Sequence, residues 1–275
     1  MNYQPKSIET RRLCVGVMSG TSVDAVDVAI ISIDPTGSVS FMAAHQHNFD
    51  PILRQTIIAI QGGASMTASD YGALHVALGQ CYVQAVSALI ERASVFPSML
   101  DGIGCHGQTL WHQPNEPNGF SLQLGDPNTL AVAFGCPVGC DFRQMDVVRG
   151  GQGAPLAPLF HRAFFAEPGQ KRAVVNLGGI MNVSWFEGAQ SSLLGFDVGP
   201  ANCLLDAWIM HTQGAPYDSQ GQWAKSGRVQ TALLNRLRQD PFRDRPLPKS
   251  CGKEQYHLDW LVSVLPPGIL AQDVQ

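Results

Sequence analysis

The chain has 275 residues, 45% of them hydrophobic, a net charge of −4 at pH 7, a pI near 6.0 and a mean hydropathy of +0.00. At roughly 150 residues per domain, this is one large domain or two modest ones with ample apolar material for a core. The slightly acidic balance argues against nucleic acid or an anionic membrane surface as partner, and no apolar run approaches the ~20 residues of a membrane helix.

Residues 1–12 are polar and lack an apolar h-region, so a frayed arm is expected there rather than a signal peptide. The 7 cysteines are odd in number and scattered through apolar segments such as Leu13-Cys14-Val15 and Asn202-Cys203-Leu204. That pattern suits buried thiols in a reducing cytoplasm better than a disulfide framework. Cys136 and Cys140 have no second ligand pair nearby, so a zinc site is not expected.

Arg12 to Ile33 is the first organised stretch. An apolar run enters the hydroxyl-rich Ser19-Gly20-Thr21-Ser22, and an alternating run leaves it with Val26, Val28 and Ile30 on one face. Two strand-like runs joined this way predict a β-hairpin. Its turn offers backbone N–H groups and three hydroxyls, and Gly20 lets a ligand approach the backbone closely. Asp24 and Asp27 follow at once, which suits a hydrated Mg²⁺ beside phosphate oxygens. A phosphate-gripping hairpin and an ordinary surface hairpin fit these residues equally. A Walker P-loop does not: G-x-x-x-x-G-K-[ST] is missing, and a strand rather than a helix follows.

Pro51 to Ile60 reads as a short helix, opened by proline and closed by Gly62-Gly63. Thr67 or Ser69 caps a long amphipathic helix from Tyr71 to Ala93, with Tyr71, Leu74, Leu78, Cys81, Ala85 and Leu89 at helical spacing. His75 within it reads as a core-edge or solvated side chain. Met99 to Thr109 is expected to be a strand running into a functional loop, with Trp111 to Pro117 irregular. Gly102-x-Gly104-x-x-Gly107 spells a dinucleotide fingerprint, but no helix follows it, so nicotinamide binding is not expected. Cys105 and His106 are strand neighbours facing opposite sides and do not pair as nucleophile and base. Phe120 to Leu124 alternates as a strand, Thr129 to Phe134 is a short helix, and Pro137 to Arg143 reads as a returning strand. The glycine-rich loop Gly150 to Pro155 opens a helix carrying Leu156, Leu159, Phe160, Ala163 and Phe164, and such helix starts favour anions.

A second unit begins near Arg172. An apolar strand, the turn Gly178-Gly179 and another apolar strand repeat the opening device. Leu193 to Pro200 is a third strand, carrying Asp197. A helix follows from Ala201 to about His211, with Leu204, Leu205 and Trp208 inward and Gly214 as its stop. Asp197 stands where a general base would be placed. The alternative is a carboxylate that only caps the helix, and the glycine turns around it favour chemistry. Ala215 to Lys225 is expected to be a polar loop. Arg228 to Gln239 reads as a helix with Leu233, Leu234 and Leu237 inward. Pro241 to Gly252 reads as an irregular basic connector, Leu258 to Leu265 as a helix capped near His257, and Ala271 to Gln275 as the opening of another.

Several of these segments, taken in order, resemble one family. They are Gly16-Val17-Met18-Ser19-Gly20-Thr21-Ser22-Val23-Asp24, Gly104-Cys105-His106-Gly107-Gln108-Thr109, Asp141-Phe142-Arg143, Gly151-Gln152-Gly153-Ala154-Pro155-Leu156, Asn176-Leu177-Gly178-Gly179-Ile180, Phe196-Asp197-x-Gly199-Pro200 and Asp206-Ala207-Trp208. The set resembles the anhydro-N-acetylmuramic acid kinases, bacterial sugar kinases of the actin-like, ribonuclease-H-like ATPase group, over essentially the whole chain. The resemblance implies an α/β actin-like fold of two lobes, the first over 13–170 with the phosphate hairpin and sugar pocket, the second over 171–275. It implies a double reaction in the cytoplasm, as part of peptidoglycan recycling. Water attacks the anomeric carbon and opens the internal ether of the sugar, and the oxygen released at carbon six takes the γ-phosphoryl group of ATP. The product is N-acetylmuramic acid 6-phosphate.

By that resemblance Asp197 is the base that activates the water. Gly20, Thr21, Ser22, Val23, Asp24, Ala25, Val26 and Asp27 would hold ATP together with Gly178 and Gly179, and Asp24 would help place Mg²⁺ through water. Gln108, Thr109, Arg143 and Asp146 would line the sugar pocket. The implied partners are ATP and an amino sugar, with no nucleic acid or membrane, and a homodimer is allowed. The sequence departs from the family in having Ala25 where glycine is preferred, and Ser250-Cys251-Gly252-Lys253-Glu254 where Ser-Thr-Gly-Arg-Glu is usual. Family members also continue into a glycine-rich nucleotide turn and an acidic Gly-Asp-x-x-Glu segment. The expectation is a truncated copy whose second lobe is incomplete and which binds ATP weakly. The rival expectation is a non-catalytic sugar- or partner-binding actin-like module without the nucleotide half. A thiol enzyme or metal-free amidohydrolase using Cys105 or His106 is a third.

Overall fold

A computed structural model describes residues 10–114, 117–188, 192–252 and 255–275. Most of the expected N-terminal arm therefore lies outside the described residues, as do Lys253 and Glu254. The chain divides into two compact units, 1–154 and 155–275. The boundary expected at 170 lies one helix further along.

The first unit opens with β1 (Arg12–Ser19), β2 (Ala25–Ile33) and β3 (Val39–Asn48), an antiparallel meander. Two helices follow, α1 (Pro51–Gln61) and α2 (Ala68–Arg92), and then β4 (Leu100–Gln113) returns parallel to β1. Beyond these come β5 (Phe120–Leu124), α3 (Pro127–Phe134), β6 (Val138–Gly139) and α4 (Phe142–Val148). The strand order is β3-β2-β1-β4-β5. The long β4 divides its outer edge, pairing in parallel with β6 at Ile103 and antiparallel with β5 from Gln108 onward.

Alternation builds one face of this sheet. Val15 and Val17 of β1, and Val26, Val28 and Ile30 of β2, are all buried in one core with Leu78, Tyr82, Ala85 and Leu89 of α2. The N-terminus of α2 carries a capping box: Asp70 N donates to Thr67 Oγ1 at 3.2 Å and Thr67 N to Asp70 Oδ2 at 2.9 Å. By length and composition this helix is apolar enough to cross a membrane, which the sequence reading had not found in any segment. Half of its most apolar window is buried inside the protein, as in the core helix of a folded unit.

Three departures from the sequence reading have local causes. β3 was not anticipated, because Ala43-Ala44-His45-Gln46-His47 hides its period; its pairing with β2 supplies what composition does not. β4 runs on through Trp111, His112 and Gln113, expected to be irregular, because each pairs across to β5. The strand expected over 137–143 shrinks to two residues because Asp141 takes a left-handed φ of 56° and turns the chain into α4.

The second unit holds α5 (Ala157–Phe165), the antiparallel meander β7 (Lys171–Leu177), β8 (Ile180–Glu187) and β9 (Leu194–Pro200), and then α6 (Asn202–Gln213). Short helices complete it: α7 (Gln222–Ser226), α8 (Thr231–Leu237), α9 (Leu258–Val264) and α10 (Ala271–Val274). The expected loop 215–225 contains α7 because the Asp218 carboxylate accepts from Trp223 N and Ala224 N at 3.0 and 2.9 Å. The inward faces also shift. α6 buries Trp208 and Ile209 while Leu205 is exposed, α8 buries Leu233 and exposes Leu234, and Leu159 and Phe160 of α5 are exposed. His257 stands at the N-cap of α9 without a side-chain capping bond. Trp208 Nε1 donates to Ala271 O at 2.8 Å, which ties α10 to α6.

Gly79 shows how tightly the first core is closed. A Cβ there would lie 2.4 Å from Thr129 Oγ1 and 2.7 Å from Asp126 O, where α2 passes the start of α3. Alanine is the better helix former by about 0.5–1 kcal/mol. Gly79→Ala is nevertheless predicted to destabilise the unit by about 1–3 kcal/mol through overpacking, read as a lower Tm in thermal denaturation.

Candidate functional site

The β1–β2 turn is built from its main chain outward. Val23 N donates to Gly20 O at 3.1 Å, closing the turn. Ser19, expected to offer its hydroxyl to a ligand, is buried, and its Oγ lies 3.0 Å from the Tyr82 hydroxyl. Thr21 and Ser22 stay exposed. Val23, Ala25 and Val26 point into the core, so they can offer a ligand main-chain groups only. Asp24 is exposed, with Arg54 Nη2 at 4.0 Å, and the exposed Asp27 accepts from Gln46 Nε2 at 3.1 Å. Val23 has φ of 54°, the left-handed region, which costs an L-residue about 1–2 kcal/mol and a β-branched one more.

Gln108 and Thr109, expected to line a sugar pocket, are buried instead. Gln108 Nε2 donates to Gly20 O at 3.1 Å and to Thr109 O at 3.3 Å. Thr109 O also accepts from Gln61 Nε2, and Thr109 Oγ1 accepts from Gln123 Nε2. The cause is a β-bulge in β4. Val17 faces Cys105 while Ser19 faces Gln108, so β4 carries one extra residue at His106-Gly107. Gly107 takes φ of +78°, and a Cβ there would stand 2.8 Å from Leu124 O.

The bulge places His106 in a chain of polar groups with Arg143 and Asp146. Arg143 Nε donates to His106 Nε2 at 2.7 Å, and Arg143 Nη1 donates to Gly153 O at 2.7 Å. Gly153 N donates to Asp146 Oδ2 at 2.7 Å. A guanidinium only donates, so Nε2 is an acceptor, and the proton sits on Nδ1, which donates to Gly107 O at 2.8 Å. Burial pushes the His106 pKa below the usual imidazole range and the Arg143 charge adds to this, against the Gly107 bond. His106 is therefore a neutral, oriented imidazole. Cys105 faces the core, and burial pushes its thiol up to about 11, which disfavours a thiolate nucleophile.

Two cavities flank this chain within the first unit. One of about 480 Å³ is lined by Gly16, Met18, Asp27, Gln46, Gly104 and His106. The other, of about 420 Å³, is lined by His75, Ser121, Gln123, Asp141, Gln144 and His106 among others. His75 is a core-edge residue whose Nδ1 accepts from Gly125 N at 3.1 Å.

In the second unit the Gly178-Gly179 turn and Asp197 have separate duties. Asn202 N donates to Gly178 O at 3.0 Å, while Ala201 N and Cys203 N donate to Gly179 O at 2.9 and 3.1 Å. The glycine turn thus takes up the start of α6, and no side chain caps that helix. Asp197 is consequently not its cap. Asp197 Oδ2 accepts from Cys251 N at 2.9 Å, and Asp197 N donates to Lys249 O at 2.9 Å. The 249–251 segment is held in turn by Lys249 Nζ, which donates to Phe242 O and Arg243 O at 2.9 and 2.6 Å. A second bulge sits beside the acid: Met181 faces Gly199 while Asn182 faces Asp197, leaving Val198 as the extra residue. Burial raises the Asp197 pKa above the ordinary carboxylate range, opposed by the Cys251 N–H. Among the described residues, no three His, Cys, Asp or Glu side chains are grouped to hold a metal ion.

The elements of the two units, each taken by itself, define a mixed α/β protein in which a glycine turn leads each sheet and a half-buried strand acid stands beside the second. The family described as anhydro-N-acetylmuramic acid kinase matches residues 12–275, and the chain belongs to it. The anhydro-N-acetylmuramic acid kinase of Idiomarina loihiensis is 43% identical over 248 residues, 90% of this chain and 67% of that protein. That of Coxiella burnetii is 42% identical over 248 residues, 90% of this chain and 66% of that protein. The chain therefore spans about two thirds of the length of these relatives. A superposition on YeaZ from Pseudomonas aeruginosa covers 96% of this chain and 97% of that one, but at 13% identity and a TM-score of 0.28 it is too loose to define a shared fold.

The Arg143–His106 bond gives a direct test. Arg143→Met removes both the donor and the positive charge, so the His106 pKa is predicted to rise toward its usual value. An NMR titration of the His106 ring would show this, and an unchanged or lower value would contradict the arrangement.

Proposed function

We propose that this chain carries out the reaction of its family: ATP-dependent phosphorylation of anhydro-N-acetylmuramic acid with hydrolytic opening of the internal ether. Asp197 is the general base that takes a proton from the attacking water. The observation that carries this reading is the state of that acid. It is half-buried at a bulge, gripped at one carboxylate oxygen by the Cys251 N–H, and raised in pKa by burial. A carboxylate moved toward neutral pH is a stronger base than a free one.

The turn from Gly20 to Asp27 would receive the ATP phosphates. Gly20, Thr21 and Ser22 contribute N–H groups and hydroxyls, while Val23, Ala25 and Val26 contribute main chain alone. The exposed carboxylates of Asp24 and Asp27 suit a hydrated Mg²⁺, with Asp24 holding it through water. When bound, that ion neutralises charge on the transferring phosphoryl group. Gly178 and Gly179 are the counterpart in the second unit. Arg143, Asp146 and the neutral His106 serve the sugar, while Gln108 and Thr109 support the turn from within. An actin-like, two-lobed architecture and a cytoplasmic setting complete the proposal. The mixed first sheet and the hairpin-led second sheet support the architecture.

Asp197→Asn tests the reading in a coupled assay with the anhydro sugar, ATP and Mg²⁺. Turnover is expected to vanish, and residual turnover near the wild-type rate would remove Asp197 from the base role. The same substitution carries a stability forecast. A carboxyl whose folded pKa is raised stabilises the fold only while protonated, and that contribution fades as pH rises through its folded pKa. Near neutral pH Asp197→Asn should therefore leave Tm unchanged or raise it. In the active protein the acid limb of kcat should fall above the ~3.9 of a free aspartate.

A further inference from the structure

We propose that Arg54 is a positioning residue for the phosphate turn. It holds the carbonyl of Val23, keeping that residue in its left-handed conformation and turning the carbonyl oxygen away from an incoming phosphate. The proposal rests on the reading of residues 19–27 as the turn that receives ATP.

Three observations carry it. Val23 is a β-branched residue at φ of 54° with no exposed surface, a conformation it does not hold without support. Arg54 Nε donates to Val23 O at 2.8 Å, and the same guanidinium lies 4.0 Å from the Asp24 carboxylate. Arg54 is itself fixed in the first turn of α1, where Asp50 Oδ1 accepts from Ile52 N and Leu53 N and Asp50 O accepts from Arg54 N. One side chain, rooted in an ordered helix start, thus bonds the strained residue and lies beside the acid that follows it.

The chemistry of an anion site gives this contact its purpose. A turn attracts phosphate through its N–H groups and repels it through its carbonyl oxygens. Here Gly20 O is taken by Gln108 Nε2 and by Val23 N, and Val23 O is taken by Arg54. Both oxygens are occupied by donors of the protein itself. Without Arg54, the Val23 peptide is free to rotate toward extended backbone, which moves the following N–H and the Asp24 side chain.

The test compares Arg54→Ala in two backgrounds, wild type and Val23→Gly, because glycine takes positive φ freely. Two readouts are used on the full chain: hydrogen exchange of the amides of residues 20–24 without nucleotide, and Mg-ATP affinity by calorimetry. Arg54→Ala should speed exchange at the Val23 N–H and weaken Mg-ATP by about tenfold or more, as for a lost hydrogen bond to a charged donor. In the Val23→Gly background both effects of Arg54→Ala should shrink severalfold. Arg54→Lys, which keeps the charge but loses Nε, should resemble Arg54→Ala in exchange. Equal losses of Mg-ATP affinity in both backgrounds would overturn the proposal, since Arg54 would then act by charge alone. Unchanged exchange in Arg54→Ala would overturn it too. If wild-type protein shows no Mg-ATP binding while the exchange pattern holds, the ATP reading fails and the role of Arg54 in shaping the turn stands.

Discussion

A buried amide fixes where the first turn stands. Gln108 has no exposed surface, and its Nε2 reaches across from β4 to the carbonyl of Gly20 at the end of β1. Its Oε1 has no hydrogen-bond partner among the described residues. β1 lies between β2 and β4. Its last residue, Ser19, is tied to Tyr82 in the helical layer, and Arg54 from α1 takes the far side of the turn. The loop is thus fixed from a strand and from two helices before any ligand arrives. Preorganisation of that kind is what phosphoryl transfer, a reaction of positioning and charge neutralisation, asks of a protein.

The two units use one device to present their chemistry. Each interrupts a strand with a single extra residue: the step at His106-Gly107 in β4 and Val198 in β9. A regular strand would alternate its side chains strictly between faces. The bulge breaks that alternation beside the residue that matters and aims it independently of the ladder. In β4 it lets Cys105 and Gln108 both turn inward while His106 meets Arg143. In β9 it lies beside Asp197, whose carboxylate accepts from Cys251 N while the Gly178 and Gly179 carbonyls accept from the start of α6. The electrostatic outcomes differ accordingly. Burial keeps His106 neutral and holds Asp197 closer to its protonated form, so each is moved away from a fixed charge.

Much of this was legible in residue order. The hairpin around Ser19–Ser22, the capped helix α2, the strand–glycine–strand opening of the second unit and the strand bearing Asp197 all follow from local periodicity and turn chemistry. Those signals act over a few residues and survive any tertiary setting. The placing of Gln108 was not legible in this way: a glutamine beside a glycine-rich motif looks like a ligand contact, and only the partner strand shows that its Nε2 donates to Gly20 O. β3, α4 and α7 were missed because each depends on something outside its own span. For β3 it is the edge of β2, for α4 the left-handed turn at Asp141, and for α7 the carboxylate of Asp218.

By itself the sequence determined the chemistry available: a glycine and hydroxyl turn followed by two acids, a glycine pair, and an acid on a strand. It also determined family membership, since an ordered set of short motifs is a property of the chain and not of its folding. Only the tertiary structure decided which of those groups face a ligand and which brace the others. Whether a polar side chain is engaged inside the fold, as Gln108 Nε2 is by Gly20 O and Ser19 by the Tyr82 hydroxyl, or left exposed, as Thr21 and Asp24 are, depends on contacts between residues distant in the chain. No local pattern encodes those contacts.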